Sequence, residues 1–139
     1  MARAPLPPLA AVVSFIDCIN RADLDGLGAL MSDDHRLVVL DEPPVVGRDA
    51  NLDARDGYFS SFPEYVIYPH DMSAIGSRVA VVGATTGSHL GLSDEDELEL
   101  SVLWLADVHR GVLSLCQVAE DTPDARRRHG VLAGSSTST

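Results

Sequence analysis

Residues 98–120, LELSVLWLADVHRGVLSLCQVAE, decide the fold. Apolar side chains alternate on either side of Arg110-Gly111, a pair suited to a tight turn, so the stretch reads as two antiparallel strands, 98–108 and 112–120. Two further strands precede them: RVAVVGATTGSHL at 78–90 and EYVIYPHDMS at 64–73, with Gly76-Ser77 between. The acidic run Ser93-Asp94-Glu95-Asp96-Glu97 is expected to be a solvated turn. Four strands joined by short connections form an antiparallel meander.

Upstream the apolar period changes to that of helices. Leu9, Val12, Val13, Ile16 and Ile19 share one stripe. Asp23 is placed to cap a second helix that buries Leu24, Leu27, Leu30 and Met31. HRLVVLD, 35–41, is a short strand ended by Glu42-Pro43-Pro44, because prolines donate nothing to a ladder. A third helix near 49–61 offers Leu52, Tyr58, Phe59 and Phe62 for burial before Pro63 stops it. Helices first and a meander afterwards define an α+β fold, with helices packed on one face of a curved, mostly antiparallel sheet. The expected organisation is a loosely ordered lead-in at 1–8, one domain at 9–123, and a frayed tail at 124–139 that is Arg-rich and then Gly/Ser/Thr-rich.

The 139 residues suffice for one core and not for two. Acidic residues number 21 against 10 arginines, no lysine is present, and the net charge is −11. Lysine Schiff-base chemistry and a P-loop lysine are thereby excluded. Such an acidic surface repels phosphate backbones, so no nucleic-acid partner is expected. No apolar run reaches the ~20 residues of a membrane span, and MARAPLPPLAAVV makes a poor signal peptide, so the expected location is the cytoplasm. Cys18 and Cys116 lie outside any CxxC pattern and are expected to be reduced. Neither Asp33-Asp34-His35 nor His70-Asp71 has metal-ligand spacing, and no cofactor is expected.

AVVSFIDCINRADLDGLGALMSDDH, followed by GRDA, GYFSSFPEY, VAVVGATTGSHLG, Trp104 and QVAEDTP, resembles the SnoaL-like branch of the nuclear-transport-factor-2-like superfamily. The resemblance spans about Leu9 to Pro123. It implies a cone, a strongly bent sheet wrapped around N-terminal helices with a pocket inside, and often a homodimer. That superfamily holds ketosteroid isomerases, polyketide cyclases, small epoxide hydrolases and non-catalytic members. Carried over by position, the isomerase base falls on Val39, its tyrosine on Phe15, and its second aspartate near Val102. All three are apolar here, so steroid-isomerase chemistry is not supported. The epoxide hydrolases' Asp–Arg–Asp set needs an inward arginine, whereas Arg36 alternates away from the pocket and Arg78 begins a strand.

Strand alternation then sorts the concave face. With Val39 inside, His35, Leu37 and Asp41 share its side. Val81, Gly83, Thr85, Gly87 and His89 follow from 78–90, Leu100, Val102 and Trp104 from the next strand, and Leu115, Gln117 and Ala119 from the last. The expected catalytic candidates are Asp41, His35 and His89, with Asp41 the preferred base. Phe15, Val39, Tyr58, Phe62, Thr85, Val102, Trp104 and Gln117 are the expected pocket residues. Gly83 and Gly87 leave room for a helix or a ligand. Ala80, Val82, Ala84, Val112, Ser114, Cys116 and Val118 alternate outward as a mostly apolar patch that suits a homodimer. Three functions fit: acid–base catalysis of isomerase, cyclase or dehydratase type on an apolar ligand, passive binding of a small hydrophobic molecule, or a structural homodimer with a filled cone.

Overall fold

The computed structural model describes residues 5–40 and 42–129. Helix α1 (Pro8–Asn20) opens with Pro8 in its first turn, where a missing N–H costs nothing, and buries Ala11, Val12, Phe15, Cys18 and Ile19. Helix α2 (Leu24–Ala29) is capped by the Asp23 carboxylate, which accepts from the Gly26 N–H at 3.0 Å. Then follow β1 (Met31–Val39), β2 (Val45–Val46), α3 (Arg48–Ser61), β3 (Val66–Ile75), β4 (Arg78–Thr86), α4 (Asp94–Leu98), β5 (Val102–His109), β6 (Val112–Glu120) and α5 (Pro123–Arg128).

The six strands form one sheet in the order β2-β1-β6-β5-β4-β3. Strands β3 to β6 are the expected meander, and β1 returns alongside β6 in parallel. Helix α1 lies across the sheet, against β3, β4, β5 and β6. At its end the Asn20 amide donates to the Ile67 carbonyl at 3.0 Å and accepts from the Ile67 N–H at 2.8 Å, which satisfies two backbone groups on edge strand β3. The β5–β6 turn has φ of 52° at Arg110 and 79° at Gly111, the positive pair that a two-residue hairpin requires.

Several elements differ from the sequence reading. Strand β1 begins at Met31 rather than His35, because Met31 pairs with Leu113 instead of extending α2. The acidic run is helix α4, capped by Ser93, and Glu97 is buried in it at 1% exposure. That carboxylate accepts from the Thr85 hydroxyl and lies 3.4 Å from the Ser88 N–H, bonds that offset its loss of water. Strand β5 consequently starts at Val102, and Leu100, expected on the concave face, lies outside the strand and is exposed. The space beside Gly83 and Gly87 is taken by neighbouring backbone. A side chain at Gly83 would strike the backbone of Tyr68 and Pro69, and one at Gly87 that of Glu64.

The segment expected to fray from residue 124 is helical as far as Arg128, and Thr122 caps it by accepting from the Ala125 N–H at 3.0 Å. Ala125 packs on Ala80, Val82, Leu103 and Leu105 at the outer sheet face. Arg126 holds Asp121 through two bonds of 2.6 and 2.7 Å, and this pairing keeps the Asp121 carboxyl below its ordinary range. Residues 130–139 and 1–4 lie outside the described residues.

The outward patch is therefore not an open surface: Ala80, Val82 and Ala84 are 1–3% exposed within the single chain. Cys116 and Val118 moreover point the opposite way. From the turn inward, His109 faces Val112 and Val108 faces Leu113, but Asp107 faces Leu115. Ser114 is the extra residue of a bulge, and a one-residue slip exchanges the two faces of everything beyond it. Trp104 thus pairs with Val118, and Gln117 sits opposite Leu105 on the outer face.

Candidate functional site

Helices α1 and α3 and the concave sheet enclose a cavity of about 370 Å³. Phe15, Val39, Tyr58, Thr85, Val102 and Trp104 line it. Phe62 stands beside it, its ring 4.8 Å from Tyr58 and 6.2 Å from His89. Gln117 does not reach it, for the reason of register given above. Asp41 lies outside the described residues; Val39 and Glu42, on either side of it, both line the cavity.

His35 is fully buried against Phe15 and is not part of the lining. Its Nδ1 is 2.7 Å from the Leu113 carbonyl, so that nitrogen carries the proton, and Nε2 has no partner among the described residues. Burial lowers its pKa from the ordinary 6.5, against the carbonyl bond that raises it, and Arg55 lowers it further. The folded chain then takes up this proton at lower pH than the unfolded chain does. The stability contributed is complete above ~6.5 and is lost as pH falls from there through the folded-state value. His35→Asn keeps an N–H donor near Nδ1 and does not titrate. Its unfolding free energy in urea is expected to change less between about pH 7.5 and pH 5 than the wild type's. Equal slopes would refute this assignment.

The polar chemistry comes from α3. Asn51, Arg55 and Tyr58 recur at three- and four-residue steps and so share one helix face, with Phe62 just beyond the helix end. The Tyr58 hydroxyl lies 2.9 Å from His89 Nδ1 and accepts the His89 backbone N–H at 3.2 Å, so with a neutral imidazole the hydroxyl proton points at Nδ1. Rings of Phe62 and Tyr65 hold Tyr58 on two sides. Burial raises the phenol pKa of Tyr58, and that of Tyr65 more strongly, so both are neutral phenols at physiological pH. His89 is exposed, in the loop after β4, where it can meet both solvent and a cavity occupant.

Arg55 corrects the expectation that no arginine points inward. Its guanidinium lies 5.6 Å from the centre of the Phe15 ring and 3.9 Å from the Cys116 sulfur. Its Nε is buried with no acceptor among the described residues, and no described carboxylate forms an ion pair with it. Burial raises the pKa of the Cys116 thiol, which keeps it protonated in the wall. Among the described residues no group of three or more His, Cys, Asp or Glu is placed to hold a metal. None of the described helices is long and apolar enough to cross a membrane.

An open six-stranded sheet wrapped on a helix, with a side-chain-lined hollow between them, is the nuclear-transport-factor-2-like fold. Residues 12–112 match the SnoaL-like domain, and the chain belongs to that family. A nuclear-transport-factor-2-like protein of unknown function from Cytophaga hutchinsonii superposes with a TM-score of 0.68 at 12% identity, over 91% of this chain and 97% of that one. A candidate polyketide cyclase from Sinorhizobium meliloti gives 0.68 at 18% identity, over 82% and 95%. A candidate ketosteroid isomerase from Kribbella flavida gives 0.63 at 19% identity, over 87% and 85%. At such identities the likeness is one of fold. No curated protein matches the sequence.

Proposed function

We propose that this protein catalyses proton transfer on an apolar, carbonyl-bearing small molecule held in the cavity, in an isomerase- or cyclase-type reaction. The observation that carries the reading is the Tyr58–His89 pair, 2.9 Å apart, in the lining of a mostly apolar hollow. Tyr58 is too weak an acid to be a phenolate by itself. With His89 beside it, the phenol oxygen takes a proton from a carbon next to the carbonyl as its own hydroxyl proton passes to Nδ1. The ligand is left as an enolate and the imidazole as an imidazolium; reversal of the relay returns the proton to another carbon. A cyclase and an isomerase among proteins of the same fold are consistent with chemistry of this kind.

Hydrogen–deuterium exchange tests this without knowledge of the product. Aryl ketones and apolar 1,3-diketones are incubated in D₂O with the protein, and loss of the C–H signal is followed by proton NMR. Exchange above the buffer rate for at least one compound is expected, and none across the panel removes the reading. A second reading makes Asp41 the base, favoured by its flanks Val39 and Glu42 in the cavity lining. Asp41→Asn in the same assay separates the two, because only a carboxylate base loses its exchange.

A further inference from the structure

We infer that the cavity is built for an anion: an apolar, aromatic-sized molecule bearing an ionised carboxylate, sulfonate, phenolate or enolate that pairs with Arg55. The inference rests on the cavity being a ligand site, as proposed above, and adds the charge of its occupant.

Four observations carry it. Of the described lining residues Arg55 is the one arginine or lysine, and Glu42, the one carboxylate, is exposed and forms no ion pair with it. Five other arginines of the described chain do find carboxylates: Arg21, Arg48, Arg78, Arg126 and Arg127. Arg55 instead meets the Phe15 ring and a thiol sulfur, both weak partners for a guanidinium. Its Nε is shut off from solvent with no acceptor among the described residues, although a guanidinium presents five donors in a fork that matches a carboxylate or sulfonate. Arg55 as a whole is half-buried, and an anion in the cavity would give the enclosed donor the partner that water does not supply.

The electrostatics of the whole molecule sharpen the point. At a net charge of −11 the outer surface repels anions, so anion affinity has to arise locally. Arg55 sits among Phe15, Tyr58, Tyr65 and Cys116, where low polarity makes a single ion pair count for more than in water. The apolar remainder of the cavity fits the hydrophobic body of the same molecule.

A matched pair of fluorescent probes tests this in the full-length protein. 8-Anilinonaphthalene-1-sulfonate carries the anion, and N-phenyl-1-naphthylamine is the same skeleton without it. Arg55→Met is expected to weaken the sulfonate roughly tenfold or more and the neutral probe less than about twofold, and Arg55→Lys to restore part of the difference. Each variant is first shown to unfold cooperatively in urea, so that dye taken up by a loosened core is not counted. Equal loss of both probes would make Arg55 a packing residue and overturn the inference. So would binding of the neutral probe alone to the wild type, with the cavity as a ligand site left standing. Failure of both probes to bind the wild type overturns the anion site and the ligand site together.

Discussion

Tyr58→Phe is expected to slow the enzyme-dependent deuterium exchange by about 10²-fold or more, the ordinary contribution of one positioned acid–base group. The substitution removes the oxygen that lies 2.9 Å from His89 Nδ1 and nothing else. Its ring keeps the contacts with Phe62 and Tyr65 at 4.8 and 5.0 Å, so the fold around it is unaltered. The hydroxyl also accepts the His89 backbone N–H, so loss of stability should stay within about 1–3 kcal/mol, the worth of two hydrogen bonds. His89→Gln should act in the same direction, because a phenol whose pKa is raised by burial has no acceptor for its proton once the imidazole is gone. The double variant should be hardly slower than either single one, as befits two groups that act as one relay. Exchange undiminished in Tyr58→Phe removes the relay. Additive losses would mean that the two side chains work separately.

A large effect on stability is expected at Asn51. Its amide nitrogen lies 2.9 Å from the His35 carbonyl, 3.1 Å from that of Val45 and 2.8 Å from that of Gly47. The side chain is completely buried, so this one amide joins α3 to β1, to β2 and to the capping residue Gly47 where no water can substitute. Asn51→Ala removes these bonds and empties a buried site, although backbone N–H groups still reach the His35 and Gly47 carbonyls, and should lower unfolding stability by roughly 1–3 kcal/mol, a large share of what a domain of this size possesses. Asn51→Asp is the informative companion. It keeps the volume but turns an acceptor, and a charge, toward three carbonyls, so it should be at least as damaging as alanine. Urea unfolding at neutral pH, with the slope of the transition unchanged, reads both. An aspartate variant close to wild type would show that volume, not donation, sets the role of this residue.

The cost of placing Asn51 there explains why the polar wall of the cavity has its shape. Once Asn51 is fixed, the residues one and two turns on, Arg55 and Tyr58, are carried to the same side of α3. Arg55 was legible from this spacing, since it shares the face of Tyr58. A search for an inward arginine confined to strands, where Arg36 and Arg78 lie, passes over it.

Much of the architecture follows from local chemistry alone. The Asp23 cap, the prolines at 7–8 and 43–44, the positive-φ pair Arg110-Gly111 and the change of apolar period from helix to strand each act within a few residues of chain. They were sufficient for α1 to α3, for the strand between α2 and α3, for the meander and for the inward phase of Leu37, Val39, Val81 and Trp104. Contacts between distant segments decided the rest. Ser114 bulges out of β6, and this one residue brings Cys116 and Val118 into the cavity and turns Gln117 outward; alternation read along a single strand contains no sign of it. Glu97 is buried because the Thr85 hydroxyl and Ser88 N–H meet it from the end of β4, so one carboxylate of an otherwise exposed acidic run is enclosed. Arg55 is a surface-type residue by composition, and only the closure of α3 over the sheet leaves it facing a largely apolar hollow without an ion pair among the described residues. The sequence by itself determined the first three helices, the strand between them and the meander, because helix caps, turns and periodicity are short-range forces. Only the tertiary structure decided which polar groups are enclosed together, because burial and pairing belong to neighbours far apart in the chain.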